Sequence, residues 1–214
     1  PEADVEGYDA CRKIAILTSL AYGKQVDYND IYTEGITKIT VEDFKYADSI
    51  GATIKLVGTG KMTDGKISAM VTPVMIKAGH PLYTVDDVFN GIYVRGNMLG
   101  DSLFYGKGAG KLPTASAVAA DVVEAVRNRH NNVPIIWSSD TQHVTDYKDV
   151  VNSFFVRAKD TSFDEITKIF GEVTKVDSLV DGETAFTTGK MTEGEFEDKY
   201  AKLANAVTRI RLAF

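Results

Sequence analysis

Cysteine is almost absent: Cys11 is the single thiol in 214 residues. One thiol excludes an internal disulfide framework and fits a reducing compartment, so the expected location is the cytoplasm. No apolar run approaches the ~18 residues needed to cross a bilayer, and no membrane partner is expected. Nothing at the start has the basic segment and apolar core of a signal peptide. Positive charge is in deficit: 24 Lys and Arg face 30 Asp and Glu, for a net charge of −6 and an isoelectric point near 5.1. With no basic stripe to neutralise phosphates, nucleic acid is excluded as a partner. The three histidines, His80, His130 and His143, are scattered without metal-ligand spacing, so no metal site is expected. An initiator methionine is also missing, and the expectation is a chain that begins partway through a longer protein.

What remains is ordinary globular material, 44% hydrophobic and 25% charged, enough for one large domain or two small ones. Residues 7–21 read as a helix, with Tyr8, Cys11, Ile14, Ala15 and Thr18 recurring at spacings of three and four and Gly23 as its stop. A second helix is expected over 41–50, capped by Thr40 with Asp43 in the capping-box position and ended by Gly51. Strands follow at 53–59, 66–76, 89–95 and 102–105, with a turn at 61–65, reading as an antiparallel meander. Pro73 places part of the second strand at an edge or a bulge. A glycine-rich loop at 106–110 leads into a small-residue helix over 114–128, and 131–149 reads as a connector. The last part alternates strand 153–158, helix 163–170, strands 173–179 and 184–188, helix 192–203 and strand 207–214: the βαββαβ order of a ferredoxin-like domain. The fold class is therefore α+β, helices with an antiparallel or mixed sheet followed by a βαββαβ domain. The expected division is 1–130, a linker over 131–150, and 151–214.

Two stretches have residue types that carry chemistry. In DVEGYDACRK (4–13), Asp9 and Lys13 stand four apart, on one face of a helix. Such a pair serves as a surface acid–base contact worth ~0.2–0.5 kcal/mol. Alternatively it is a proton-transfer pair, although a neighbouring carboxylate favours the charged lysine and would need offsetting desolvation or a water relay. Asp4 either caps the helix or holds a cationic group. Cys11 lies about 200° around the helix from Asp9 and is expected to pack as a small hydrophobe. YGKGAGKLPTASA (105–117) fails as a P-loop, because Gly106 and Gly110 are too close and Leu112 replaces the hydroxyl residue. It also fails as GxGxxG, since residue 111 is lysine. It remains either a tight strand-to-helix turn or a loop whose glycines admit another molecule.

DVEGYDACRKIAIL (4–17), EGITKIT (34–40), GATIKLVG (51–58), HPLYTVDDVFNGIYVRG (80–96) and YGKGAGKLPTASAVAADVVEA (105–125), in that order and spacing, resemble consecutive segments of homoserine dehydrogenases. The resemblance covers roughly the first 130 residues. It implies reversible, NAD(P)-dependent interconversion of L-aspartate 4-semialdehyde and L-homoserine, on the route to threonine, methionine and isoleucine. By the family's motif Lys13 would be the catalytic proton carrier. Asp9 would orient substrate and lysine, Asp4 would contact homoserine, and Gly108, Ala109 and Gly110 would lie near the nicotinamide. The strands of 53–105 are similar to the family's dimer-forming sheet, implying a homodimer. The tail resembles an ACT regulatory domain, implying threonine as effector, but Phe163 stands where that domain's glycine belongs. Asp87 likewise replaces a usual turn glycine.

The family's nucleotide-binding domain has no counterpart here: no strand–GxGxxG–helix unit occurs. The chain is therefore expected to be the C-terminal portion of the enzyme, inactive alone and binding no dinucleotide tightly. The competing reading is a non-enzymatic amino-acid-sensing or dimerisation module that keeps an inherited sheet.

Overall fold

In the computed structural model, which describes residues 2–132 and 134–213, one helical turn, α1 (Glu2–Val5), leads to Gly7. Gly7 has φ +82°, the left-handed conformation that turns the chain into α2 (Tyr8–Tyr22). Gly23, at φ +73°, ends α2 and donates its N–H to the Ser19 carbonyl, as the sequence predicts. Strand β1 (Lys24–Gln25), a 3₁₀ turn over 28–30 and β2 (Tyr32–Thr33) follow. Helix α3 (Val41–Ser49) opens with the predicted capping box: Thr40 accepts from the Asp43 N–H while the Asp43 carboxylate takes the Thr40 N–H at 2.8 Å.

β3 (Ala52–Thr63) and β4 (Lys66–Lys77) form one long hairpin. The turn expected over 61–65 shrinks to Asp64 and Gly65, both at positive φ (51° and 76°). That is the two-residue geometry whose twist matches the flanking strands, so pairing persists to Thr63 with Lys66. Pro73 corrects the expectation of an edge or bulge. β3 occupies one side of β4 along its whole length. The short β2 and a strand from the tail therefore share the other side end to end: β2 pairs as far as Val71, and the tail strand begins at Val74. Pro73 falls in the interval between them, where its missing N–H breaks no ladder.

The chain folds as two units: residues 79–136 form one, and the segments before and after form the other. In the first, turns at 80–89 replace a direct strand connection, closed by Tyr83 N–H to His80 and Phe89 N–H to Asp86. The expected meander is split for this reason. β5 (Phe89–Gly96) and β6 (Gly100–Lys107) make a two-stranded ribbon of their own rather than continuing the β3–β4 sheet. Asp87 has φ +54°, the conformation that favours glycine, at the turn where the resemblance expects one. Gly110 (φ +113°) precedes α4 (Lys111–Arg127), which starts three residues before the sequence reading and buries no residue.

Back in the other unit, β7 (Ser138–Thr141) pairs in parallel with β1, inside what reads as a connector. Then come β8 (Val151–Lys159), α5 (Phe163–Phe170), β9 (Val173–Val176), β10 (Glu183–Thr188), β11 (Met191–Thr192), α6 (Glu193–Tyr200) and β12 (Ala206–Ala213). Residue 214, part of the predicted last strand, lies outside the described residues. The order β12-β8-β10-β9 is fourth-first-third-second with every neighbour antiparallel, the ferredoxin-like arrangement. β12 then pairs in parallel with β4, merging this module with the β3–β4 hairpin into one mixed sheet. The fold is α+β.

Three apolar clusters hold this unit. Phe154, Val156 and Ala158 of β8 face α5 and α6 with Ile166, Phe170 and Phe196. Phe155 faces the opposite way, toward Tyr46 and Ala47 of α3. Burial on both faces explains why SFFVRA shows no polar alternation. Under α2, Cys11 and Ala15 pack on Ile67, Ala69 and Val71 of β4. α2 crosses β3 at two glycines: a Cβ on Gly58 would stand 3.1 Å from Ile14, and one on Gly60 would overlap the Thr18 hydroxyl.

Candidate active site

α2 divides its residues by face. Cys11, Ala15, Thr18 and Ser19 are buried, and the face carrying Asp9 and Lys13 is open. One helical turn brings Lys13 Nζ to 2.7 Å from Asp9 Oδ2, with the two side chains 65% and 45% exposed. Asp4 lies on α1 and is exposed. It does not cap α2: Gly7 holds that position without a side-chain cap, and Asp4 contributes only its backbone carbonyl, to the Gly7 N–H at 3.3 Å. Cys11 is buried, as expected, and its thiol donates to the Tyr28 carbonyl at 3.3 Å.

The entrance to α2 is fixed by the EGI segment. Gly35 lies so close that a Cβ there would overlap the Val5 carbonyl and Glu6 backbone. Ile36 donates its N–H to the Val5 carbonyl at 2.8 Å. Gly7 faces Val71 and Thr33, at 3.1 and 3.2 Å from the position a Cβ would take.

Gly108, Ala109 and Gly110 belong to the 79–136 unit, and all three are exposed. A Cβ on Gly108 would run into the Asn90 side amide, and Gly110 needs positive φ, so two of the three positions have a local demand for glycine. No side chain caps α4; Pro113 has no N–H and the Thr114 N–H is given to the Gly110 carbonyl, so the Lys111 and Leu112 N–H groups are the ones left without an intrahelical acceptor.

Sequence reasoning missed the charged groups that are buried. Arg211 on β12 grips Glu193 fork to fork, at 2.6 and 2.7 Å, with side chains 2% and 1% exposed. Asn152 adds a bond to the same Glu193 carboxylate at 2.7 Å. The other side of Arg211 reaches Glu34 at 2.8 Å, and Arg209 joins Glu34 at 2.9 Å. Burial alone would raise the Glu34 carboxyl, but the two guanidiniums outweigh it and hold it below its ordinary value. A second cluster places Arg157, 3% exposed, between Asp43 at 2.6 Å and Glu183 at 2.8 Å, with Tyr46 beneath the guanidinium. It borders a cavity of about 410 Å³ lined in part by Lys38, Thr40 and Val207; Asp4, Asp9 and Lys13 are not among the residues lining it. The available signal was the spacing of Arg209 and Arg211, two arginines on one face of an apolar closing strand, which demands buried acids opposite.

The α+β fold that carries this pair matches solved enzymes in architecture. The chain superposes over its whole length on the homoserine dehydrogenase of Thiobacillus denitrificans, with TM-score 0.87 and 29% identity, covering 54% of that chain. The Staphylococcus aureus homoserine dehydrogenase gives TM-score 0.79 at 28% identity, over 55% of its chain. In sequence, the chain is 37% identical over 179 residues to the Bacillus subtilis homoserine dehydrogenase, covering 80% of this chain and 41% of the relative. It is 47% identical over 134 residues to that of Mycobacterium tuberculosis, covering 60% of this chain and 30% of the relative. The homoserine dehydrogenase family model matches residues 1–123. The chain belongs to the homoserine dehydrogenase family, and it spans less than half the length of these curated relatives.

Proposed function

We propose that these residues form the substrate side of an NAD(P)-dependent oxidoreductase that interconverts L-aspartate 4-semialdehyde and L-homoserine. The observation that carries the reading is the Lys13–Asp9 pair, 2.7 Å apart and open to solvent on the helix face opposite the buried Cys11, Ala15, Thr18 and Ser19. Lys13 takes the hydroxyl proton during oxidation and returns it during reduction, directly or through water. Asp9 holds the amine in place and, with Asp4, engages the substrate's ammonium group. The exposed Gly108–Ala109–Gly110 loop, feeding the uncapped N-terminus of α4, fits a carboxamide edge such as that of nicotinamide. The dinucleotide, when bound, supplies the hydride acceptor for oxidation and the donor for reduction. With no GxGxxG unit among these residues, its main hold lies in a nucleotide-binding domain outside them.

The βαββαβ module is similar to an ACT-type regulatory domain, for which the resemblance implies threonine as effector, while Phe163 in place of that domain's glycine weighs toward a role in packing or dimerisation. Residues 1–130 carry catalysis and dimerisation, and 131–150 join the two regions. The active species is a cytoplasmic homodimer. Among the described residues no helix is long and apolar enough to cross a membrane.

The test is homoserine oxidation by the complete enzyme with Asp9→Asn, Lys13→Ala and the double variant. Two residues acting as one unit give a double variant little worse than the worse single one. Full additivity contradicts their joint role.

A further inference from the structure

Glu34 takes no part in the proposed chemistry, yet three donors converge on one of its oxygens: Arg209 at 2.9 Å, Arg211 at 2.8 Å and the Tyr32 hydroxyl at 3.3 Å. Its own N–H is bonded to the Val71 carbonyl at 2.8 Å, so backbone and side chain are both anchored. The next two residues touch the α1–α2 junction. Gly35 abuts Val5 and Glu6, and Ile36 donates to the Val5 carbonyl. From that junction α2 rises at ~1.5 Å per residue, which places Lys13 only about 9 Å along the axis from Gly7. In the other direction Arg211 is locked to Glu193, the first residue of α6, which is fully buried and also held by Asn152. A continuous run of charge-assisted and backbone bonds therefore connects α6 and β12 of the βαββαβ module with the helix that carries Asp9 and Lys13.

We propose that Glu34, clamped by Arg209 and Arg211, is a positioning residue for the Lys13–Asp9 pair. The module fixes the 34–36 turn, and that turn fixes the entrance of the helix. This rests on the reading of Lys13 and Asp9 as the reacting pair. The clamp explains why two arginines are carried on one face of the closing strand: Arg211 bonds both Glu193 and Glu34, but its one positive charge balances only one of the two carboxylates, and Arg209 supplies the second. It also explains the glycine at 35, because any side chain there would push the turn off the junction.

The experiment compares amide hydrogen exchange, residue by residue, in the complete enzyme and in its Glu34→Gln variant, together with kcat and KM of the same two proteins. The amides of Ile36 and Cys11, which bond across the junction and close its first helical turn, exchange at least about tenfold faster once the charge-assisted bonds are lost. Protected amides of the central strands β8 and β10 keep their rates. Turnover falls in kcat and KM rises with it, since displacing the pair also moves the Asp9 contact to substrate. Arg209→Lys, which keeps the charge but loses the second guanidinium contact, to the Tyr32 hydroxyl, gives a smaller change at the same two amides, and it stands in if Glu34→Gln does not fold. Equal acceleration at every amide, no acceleration at the junction, or an unchanged kcat overturns the proposal. The Lys13→Ala measurement fails separately: normal turnover there removes the chemical reading, whereas the exchange pattern bears only on the coupling.

Discussion

Arg211 and Glu193 meet as a planar guanidinium against a planar carboxylate, sealed under the sheet with neither side chain more than 2% exposed. Each leaves an uncompensated charge if the other is lost. Glu193→Ala or Arg211→Ala is expected to cost about 3–5 kcal/mol. Arg211→Lys also loses stability, because one ammonium cannot satisfy both Glu193 oxygens and Glu34. Urea unfolding monitored by circular dichroism measures both.

Acid should loosen this region through Glu34. Its carboxyl is held below its ordinary value of 4.5 despite burial, because Arg209 and Arg211 favour the charged form. A group depressed on folding contributes stability that is complete above the unfolded value. That contribution is withdrawn as pH falls through the lower folded value. Denaturation midpoints measured between neutrality and pH 3 should fall steeply below the ordinary carboxylate range, and Glu34→Gln should flatten part of that fall.

Gly60 and Thr18 form a tight crossing between β3 and α2. Gly60→Ala places a methyl group onto the Thr18 hydroxyl and is expected to cost about 1–3 kcal/mol. The Thr18 hydroxyl is itself buried and finds no hydrogen-bond partner among the described residues, so Thr18→Ala alone should cost little. The double variant should recover most of the loss, a coupling that thermal melts of the four proteins would reveal.

Association is a further check. If the strands of 53–105 form the proposed dimer contact, sedimentation velocity at micromolar concentration shows a dimer. A clean monomer contradicts that part of the account.

Much of the scaffold was legible because its signals are local. Gly23 ends α2, Thr40 and Asp43 cap α3, and the alternation of the tail is that of βαββαβ. The Asp9–Lys13 contact followed from helix geometry alone. What escaped depends on long-range pairing. Pro73 looked like an edge signal, yet it sits inside the sheet because two short partners happen to end on either side of it. The Asp64-Gly65 turn was hidden in a longer polar stretch. Glu34, Glu193, Arg209 and Arg211 look like ordinary surface charges until β12 pairs with β4 and β8 and carries them inward. No local spacing encodes a contact between residues 34 and 211.

The most direct measurement is kcat for homoserine oxidation by the complete enzyme with Lys13→Ala. The account predicts a fall of roughly 10²–10⁴-fold, the usual contribution of a positioned proton-transfer group, with the fold and the Arg211–Glu193 stability signature intact. A kcat indistinguishable from wild type would contradict it, and would return the Asp9–Lys13 pair to the status of a surface ion pair.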